Sequence, residues 1–130
     1  MDIFVDTSKW ISFLNNPEDK DSDRFYELIL EDRICVCPPI IQELLQGCRN
    51  KKEFKILEDK ISGLKQLINE PYDAAIGAAN LYLELGQKGA TIRKSNDCLI
   101  AWYTIEHDLK VWHLDRDFDM IATHSTLQIF

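Results

Sequence analysis

Carboxylates follow two short predicted strands of this chain at the points where each strand ends. Asp6 comes directly after Ile3–Val5, and Asp115 and Asp117 come just after the stretch 110–114. Short stretches rich in apolar and β-branched residues are typical of strands buried on both faces of a sheet. In an open parallel sheet, ligands bind just beyond the carboxyl ends of the strands. These acids are therefore candidates for binding or catalysis, although a turn or a helix cap would explain each of them singly.

Two further acids are predicted near the starts of helices. One helix begins at Pro38, because proline fits the first helical turn, and it carries Glu43 in its second turn. A later helix has Ser95 or Asn96 as its N-cap and Asp97 in its first turn. Each has a structural explanation: Glu43 as a surface acid on an amphipathic helix, and Asp97 as a favourable charge at a helix start.

Acids gathered in one cleft would favour metal chemistry. Carboxylates that converge raise one another's pKa, and a divalent cation relieves the repulsion. Oxygen ligands in a wide, hydrated site suit Mg²⁺ or Mn²⁺ rather than Zn²⁺. Two such ions about 4 Å apart activate water and stabilise the leaving oxygen of a phosphodiester. The chain has no phosphate-binding loop, no nucleophile elbow and no dinucleotide fingerprint, which favours metal-assisted hydrolysis further.

Alternating strand and helix patterns must position these acids. They predict an α/β fold of three layers, α/β/α, with a mostly parallel central sheet in a single domain spanning residues 1–130. The charged stretch 51–65 is predicted helical, and only one helical turn is predicted around Ile121, before a final edge strand. Gly47, read as an interior residue of the helix from Pro38, predicts that a neighbour approaches closely there. The small residues 74–79 predict close packing between helices.

Composition limits the possible partners. Asp and Glu number 22 against 15 Lys and Arg, a net charge of −7. A nonspecific nucleic-acid binder normally has a basic excess, so an RNA substrate would need local bases or bound cations. A basic protein partner would be attracted directly. With no apolar run of about 18 residues and no signal peptide, we expect a cytoplasmic protein without a membrane segment. The four cysteines form no paired CxxC motifs, which predicts reduced core thiols.

Four motifs in this order resemble the PIN domain family. They are Val5-Asp6-Thr7-Ser8, the Pro-Pro-Ile-Ile-Gln-Glu43-Leu stretch, Ser95-Asn96-Asp97 before an apolar helix, and the ending His113-Leu-Asp115-Arg-Asp117-Phe118. The small size and the order of the motifs are most similar to the VapC toxins of type II toxin-antitoxin systems. The resemblance covers essentially the whole chain.

The resemblance implies a Mg²⁺- or Mn²⁺-dependent endoribonuclease, with two ions in the active complex, that cuts structured RNA such as tRNA or rRNA. It also implies a homodimer and a cognate VapB-like antitoxin whose basic tail enters the acidic cleft. The acidic set carried over from the family is Asp6, Glu43, Asp97 and Asp115, with Asp117 as an alternative for the fourth acid. These residues would bind metal, and Thr7 or Ser8 would orient Asp6 or a water molecule. Four basic residues are candidates for phosphate contacts, with a solvated face as the alternative: Lys9, Arg93, Lys94 and Arg116.

Other interpretations remain open at this point. A non-catalytic PIN-like module that binds RNA or protein would be expected to have lost one or more acids, and none is visibly lost. A dehalogenase-like phosphohydrolase needs Asp-x-Asp after the first strand, whereas this chain has Asp6-Thr7-Ser8. A receiver domain would need paired acids after the first strand and a lysine after a late strand, and this chain shows neither feature. The histidines His107, His113 and His124 show no triad spacing, which favours structural roles.

Overall fold

Seven helices and five strands make up the chain in a computed structural model that describes residues 1–130. The elements are, in chain order, β1 (Ile3–Val5), α1 (Thr7–Asn15), α2 (Ser22–Leu30), β2 (Ile34–Val36), α3 (Pro38–Gln46), α4 (Lys51–Ser62), β3 (Lys65–Gln66), α5 (Pro71–Gln87), α6 (Ser95–Glu106), β4 (Lys110–Trp112), α7 (Arg116–His124) and β5 (Gln128–Ile129). None of the helices is both long enough and apolar enough to cross a bilayer.

The strands form one parallel sheet in the order β3-β2-β1-β4-β5. The chain moves outward from β1 to β3, then returns to the other side of β1 for β4 and β5. Because parallel crossovers are almost always right-handed, the helices of these two halves lie on opposite faces of the sheet. The predicted three-layer α/β fold is confirmed, with a sheet that is parallel throughout.

The central strands lie in the core, as their apolar sequences predict. Phe4 and Val36 are fully buried, and so is Val111 in β4. Beside them, the rings of Phe13 and Phe25 stack with their centroids 4.0 Å apart. The core thus anchors the ends of β1 and β4, from which the candidate site is built.

Two glycines differ from expectation. Gly47 is the C-cap of α3 rather than an interior residue, and a Cβ there would meet no atom closer than 3.4 Å. The prediction of a close approach at this position is wrong. The close approach occurs at Gly77 of α5, where a Cβ would overlap the ring of Trp102 in α6. The predicted close packing of the small-residue stretch 74–79 is confirmed there.

Two short elements were not apparent from the sequence pattern. The charged stretch predicted as helix up to Lys65 ends earlier, and Lys65–Gln66 forms the two-residue edge strand β3. The turn predicted around Ile121 is the nine-residue helix α7, which begins directly after Asp115. All four cysteines are free thiols, and three of them lie in the core as predicted, whereas Cys48 is only half-buried.

Candidate metal and active site

The strand order brings two of the predicted acids to one place. β1 and β4 are neighbours, and the chain's strand order reverses between them, which is where open α/β sheets bind ligands. Asp6 follows β1 and is the N-cap of α1, whereas Asp115 follows β4 and is the N-cap of α7. Asp115 Oδ1 accepts a hydrogen bond of 3.0 Å from the backbone N–H of Asp117. Local capping therefore fixes both acids at the carboxyl edge of the sheet.

Ser8 joins the ends of the two strands. Its hydroxyl donates a hydrogen bond of 2.6 Å to Asp6 Oδ2, and its backbone N–H donates a second bond of 3.0 Å to the same oxygen. The Ser8 hydroxyl oxygen in turn accepts from the backbone N–H of Leu114 at 3.0 Å. Ser8 thus orients Asp6 and ties it to the segment that carries Asp115.

Three carboxylates form the centre of the site. Asp97, Asp115 and Asp117, the carboxylate trio, each place an oxygen within 4.8 Å of the other two. Asp97 reaches the trio from the first turn of α6, and it is 4% exposed, whereas Asp117 is 3% exposed. The Oδ2 atoms of Asp97 and Asp117 are buried without a hydrogen-bond partner. Buried polar atoms are nearly always paired, so these two oxygens are available to a ligand such as a cation.

Burial and mutual repulsion both oppose the ionisation of these acids. Burial, with the charges of Asp115 and Asp6, raises the pKa of Asp97 to about 7. Burial also raises the pKa of Asp6, against the hydrogen bonds from Ser8 that lower it. We call Asp6 and the carboxylate trio together the acidic cluster. Its all-oxygen donor set and its unpaired oxygens fit a hard divalent cation such as Mg²⁺ or Mn²⁺.

Glu43 lies beside the acidic cluster rather than within the carboxylate trio. Its side chain, half-buried on α3, accepts a hydrogen bond of 2.7 Å from the hydroxyl of Thr7. Thr7 directly follows Asp6, so Glu43 is connected to the cluster through one residue. The structure thus brings three of the five predicted acids within 4.8 Å of one another, places Asp6 close enough to raise the pKa of Asp97, and leaves Glu43 at their side. Both candidates for the fourth acid, Asp115 and Asp117, belong to the cluster.

Two of the predicted basic residues lie against the cluster. Arg93 Nε is 3.9 Å from Asp117 Oδ2, and Lys94 Nζ is 3.7 Å from Asp115 Oδ2. Arg116 is exposed, and its side chain makes no ion pair with the acids. The loop before α6 therefore supplies the basic groups nearest to the site.

Lys9 has a different environment from the other basic residues. It is 3% exposed, and its ammonium lies 3.3 Å from Asp19 and 2.9 Å from Asp21. It also lies over the ring of Phe13, 4.8 Å from the ring centroid. Lys9 is thus held inside the fold and does not reach solvent, contrary to a role in phosphate contact.

His113 contributes to the site in a way that its sequence position did not reveal. Its Nδ1 accepts a hydrogen bond of 3.0 Å from the backbone N–H of Asp115, and its Nε2 lies 3.1 Å from Asp119 Oδ1. Its ring also packs near Phe118. His113 therefore shapes the turn that carries Asp115, which is a structural role, as predicted. The His-x-Asp spacing was the only signal of this contact in the sequence.

Comparison with known proteins establishes the family. Residues 3–123 match the PIN domain. VapC ribonuclease Mb1587 of Mycobacterium bovis and ribonuclease VapC11 of Mycobacterium tuberculosis are each 34% identical to the chain over 129 residues, covering 97% of this chain and 96% of theirs. The chain belongs to the PIN domain family and is a VapC-type member. The predicted family resemblance is confirmed.

Solved structures agree with the fold of this PIN domain. VapBC2 from Rickettsia felis, bound to a promoter DNA fragment, matches with a TM-score of 0.76 at 19% identity, covering 100% of this chain and 98% of that one. DNA-bound VapBC from Salmonella typhimurium gives 0.77 at 20% identity, with 100% and 97% covered. VapBC-1 from nontypeable Haemophilus influenzae gives 0.78 at 19% identity, with 100% and 97% covered. At these identities the likeness supports the PIN fold alone.

Proposed function

We propose that this PIN domain is a Mg²⁺- or Mn²⁺-dependent endoribonuclease of the VapC toxin type. Its substrate would be structured cytoplasmic RNA such as tRNA or rRNA. The observation that carries the proposal is the acidic cluster at the reversal of strand order, with two buried carboxylate oxygens that have no partner. The relatives at 34% identity are named ribonucleases, which supports the same reaction.

Each residue of the site has a role in this proposal. Asp97 and Asp115 would hold the cation together with Asp6, and Asp117 and Glu43 would complete the ligand set for up to two ions. A bound divalent cation would lower the pKa of water to supply the nucleophile and would stabilise charge on the phosphodiester. Ser8 fixes the orientation of Asp6, and Thr7 restrains Glu43. No side chain of the cluster needs to act as the nucleophile.

A protein partner is part of the proposal. The similar solved structures are VapBC complexes. We propose that a cognate VapB-like antitoxin neutralises this chain through a basic tail. The net charge of −7 and the acidic cluster would attract such a tail and hold it over the site.

RNA mapping in cells tests the proposed activity. The 5′ ends of total RNA would be sequenced after brief expression of the wild type, Asp6→Asn and Asp73→Asn. Asp73 is the matched control, because it is an exposed aspartate in the first turn of α5, and Asp73→Asn makes the same change of charge. We expect one set of new 5′ ends that the wild type and Asp73→Asn share and that Asp6→Asn lacks. Identical profiles for all three proteins would favour a non-catalytic binding module instead.

A further inference from the structure

A basic pair lies against the acidic cluster without binding it tightly. The contacts from Arg93 to Asp117 and from Lys94 to Asp115 are 3.9 Å and 3.7 Å long. Hydrogen bonds between charged nitrogen and oxygen are shorter, about 2.7 to 2.9 Å. The two cations therefore neutralise the acids through space and leave the carboxylate oxygens available to another ligand. Asp117 Oδ2, the atom that Arg93 approaches, is also one of the two buried oxygens without a hydrogen bond.

The two sides of these contacts differ in exposure. The side chains of Arg93 and Lys94 are 68% and 69% exposed, whereas those of Asp117 and Asp115 are 4% and 18% exposed. The cations themselves are largely solvated, so each can move into solvent once another cation neutralises the buried carboxylate that it leaves. The carboxylates are fixed by burial and by helix capping. A small divalent cation, which binds carboxylate oxygens at about 2.1 Å, would neutralise them far more closely.

We propose that Arg93 and Lys94 are exchangeable counter-ions of the metal site. They neutralise Asp117 and Asp115 until a divalent cation binds, and they are then released to contact the phosphates of the RNA. The inference rests on the proposed function, since it takes the acidic cluster as the metal site. It adds that one basic pair sets both the affinity for metal and the affinity for RNA.

Lys9 shows that this property belongs to the basic pair and not to every lysine near the site. Its ammonium is buried and makes contacts of 3.3 Å and 2.9 Å with two aspartates. A cation held in this way stabilises the fold and cannot be exchanged. Among the basic residues predicted to contact RNA, only Arg93 and Lys94 are both exposed and paired with the acidic cluster.

Isothermal titration of the metal-free protein with Mn²⁺ at low salt tests the first half of the proposal. Lys94→Gln and Arg93→Gln should each bind Mn²⁺ about three to ten times more tightly than the wild type, because each removes a competing positive charge. Lys94→Arg keeps the charge and should keep the wild-type affinity. Arg116→Gln makes the same loss of charge at an exposed residue next to Asp115 that has no ion pair, and we expect a change below about twofold.

RNA binding tests the second half. Fluorescence anisotropy of a labelled RNA hairpin would be recorded immediately after mixing, at saturating Mn²⁺. The double variant Arg93→Gln, Lys94→Gln should bind the hairpin about five to ten times more weakly than the wild type, since two phosphate contacts are lost. Equal binding by the double variant and the wild type would overturn the release of the pair to RNA.

The outcomes separate this inference from the proposed function. If Asp97→Asn abolishes Mn²⁺ binding but Lys94→Gln and Arg93→Gln leave it unchanged or weaken it, the counter-ion proposal fails and the metal site stands. If Arg116→Gln tightens binding as much as Lys94→Gln, net charge alone is responsible and the proposal also fails. If the wild type binds no Mn²⁺ through Asp97, both the proposed function and the counter-ion role are overturned.

Discussion

Asp97 is the acid of the cluster whose ionisation is most opposed by its surroundings. Burial and the neighbouring charges of Asp115 and Asp6 raise its pKa from 3.8 to about 7. In the metal-free protein, the carboxyl group of Asp97 therefore stays protonated in the folded state between pH 3.8 and about 7, whereas it is ionised in the unfolded chain. The contribution of Asp97 to the free energy of unfolding must fall as pH rises through this window, and above about pH 7 Asp97 destabilises the fold by its full amount.

Asp97→Asn removes this pH-dependent loss of stability. Each pKa unit corresponds to about 1.4 kcal/mol, so the shift in the pKa of Asp97 limits the gain in free energy of unfolding to about 4 kcal/mol. We expect the metal-free variant to be about 2 to 4 kcal/mol more stable than the wild type at pH 8 and nearly equal to it at pH 4, by urea denaturation in EDTA.

Asp73→Asn is the control for the change of charge, because Asp73 lies in a first helical turn but is exposed. Its stability relative to the wild type should differ little between the two pH values. A gain for Asp97→Asn that is the same at pH 4 and pH 8 would contradict the electrostatic interpretation of the acidic cluster.

At the scale of elements, the packing of α5 on α6 holds Asp97 in position. Gly77 lets the two helices approach, because a Cβ there would overlap the Trp102 ring. Gly77→Ala should therefore destabilise the protein by about 1 to 3 kcal/mol through overpacking, measured by thermal or urea denaturation.

Gly86 supplies the matched control on the same helix. A Cβ at this position would meet no atom within 4 Å. Gly86→Ala should be neutral or stabilising by about 0.5 to 1 kcal/mol, since alanine favours helix. Equal effects of the two substitutions would show that the contact with Trp102 does not limit the packing.

Elements with strong local signals were predictable from the sequence. The apolar run of β1 and the prolines that open α3 and α5 each depend on neighbouring residues alone. The predicted cap of α6 is wrong: Lys94 is the N-cap and makes no capping hydrogen bond with its side chain, and Ser95 is the first residue of the helix. β3 was missed because a two-residue edge strand is defined by its pairing with β2, which no local pattern encodes. The length of α7 was underestimated because its two acids, Asp117 and Asp119, obscured the helical period.

The location of the site was predictable from the sequence, but some contacts of its residues were not. Asp6 and Asp115 lie at one edge because strand order and capping place them there, and strand ends already indicated that edge. Asp97 and Asp117 reach the same site from the first turns of α6 and α7. The position of Glu43 depends on a hydrogen bond with Thr7, 36 residues away in the chain, and the sequence does not specify this contact. Likewise the partners of Lys9 come from the loop that follows α1, so only the fold reveals that its charge is internal.

At the scale of the whole molecule, α5 carries several large apolar side chains that are exposed on one face. Tyr72, Ile76 and Leu83 of α5 are 71%, 56% and 57% exposed. Contiguous apolar surface of this kind typically marks an interface. We propose that the predicted homodimer forms through this face of α5.

Ile76→Glu should convert the dimer to a monomer, because it places a charge in the proposed interface, as measured by light scattering after size exclusion. Leu30→Glu is the control, since Leu30 is 87% exposed and lies at the end of a different helix, α2. It should leave the dimer intact. A monomeric wild type, or equal dissociation by both variants, would contradict the assignment.

The most direct test of the central claim is RNA cleavage by purified protein with its metal removed. Total RNA would be incubated with EDTA-treated wild type, with and without added Mg²⁺ or Mn²⁺, beside Asp97→Asn and Asp73→Asn. We expect no cleavage without the cation, specific cleavage by the wild type and Asp73→Asn when it is restored, and none by Asp97→Asn. Cleavage in EDTA at the same sites, or full activity of Asp97→Asn, would contradict a metal-dependent nuclease built on the acidic cluster.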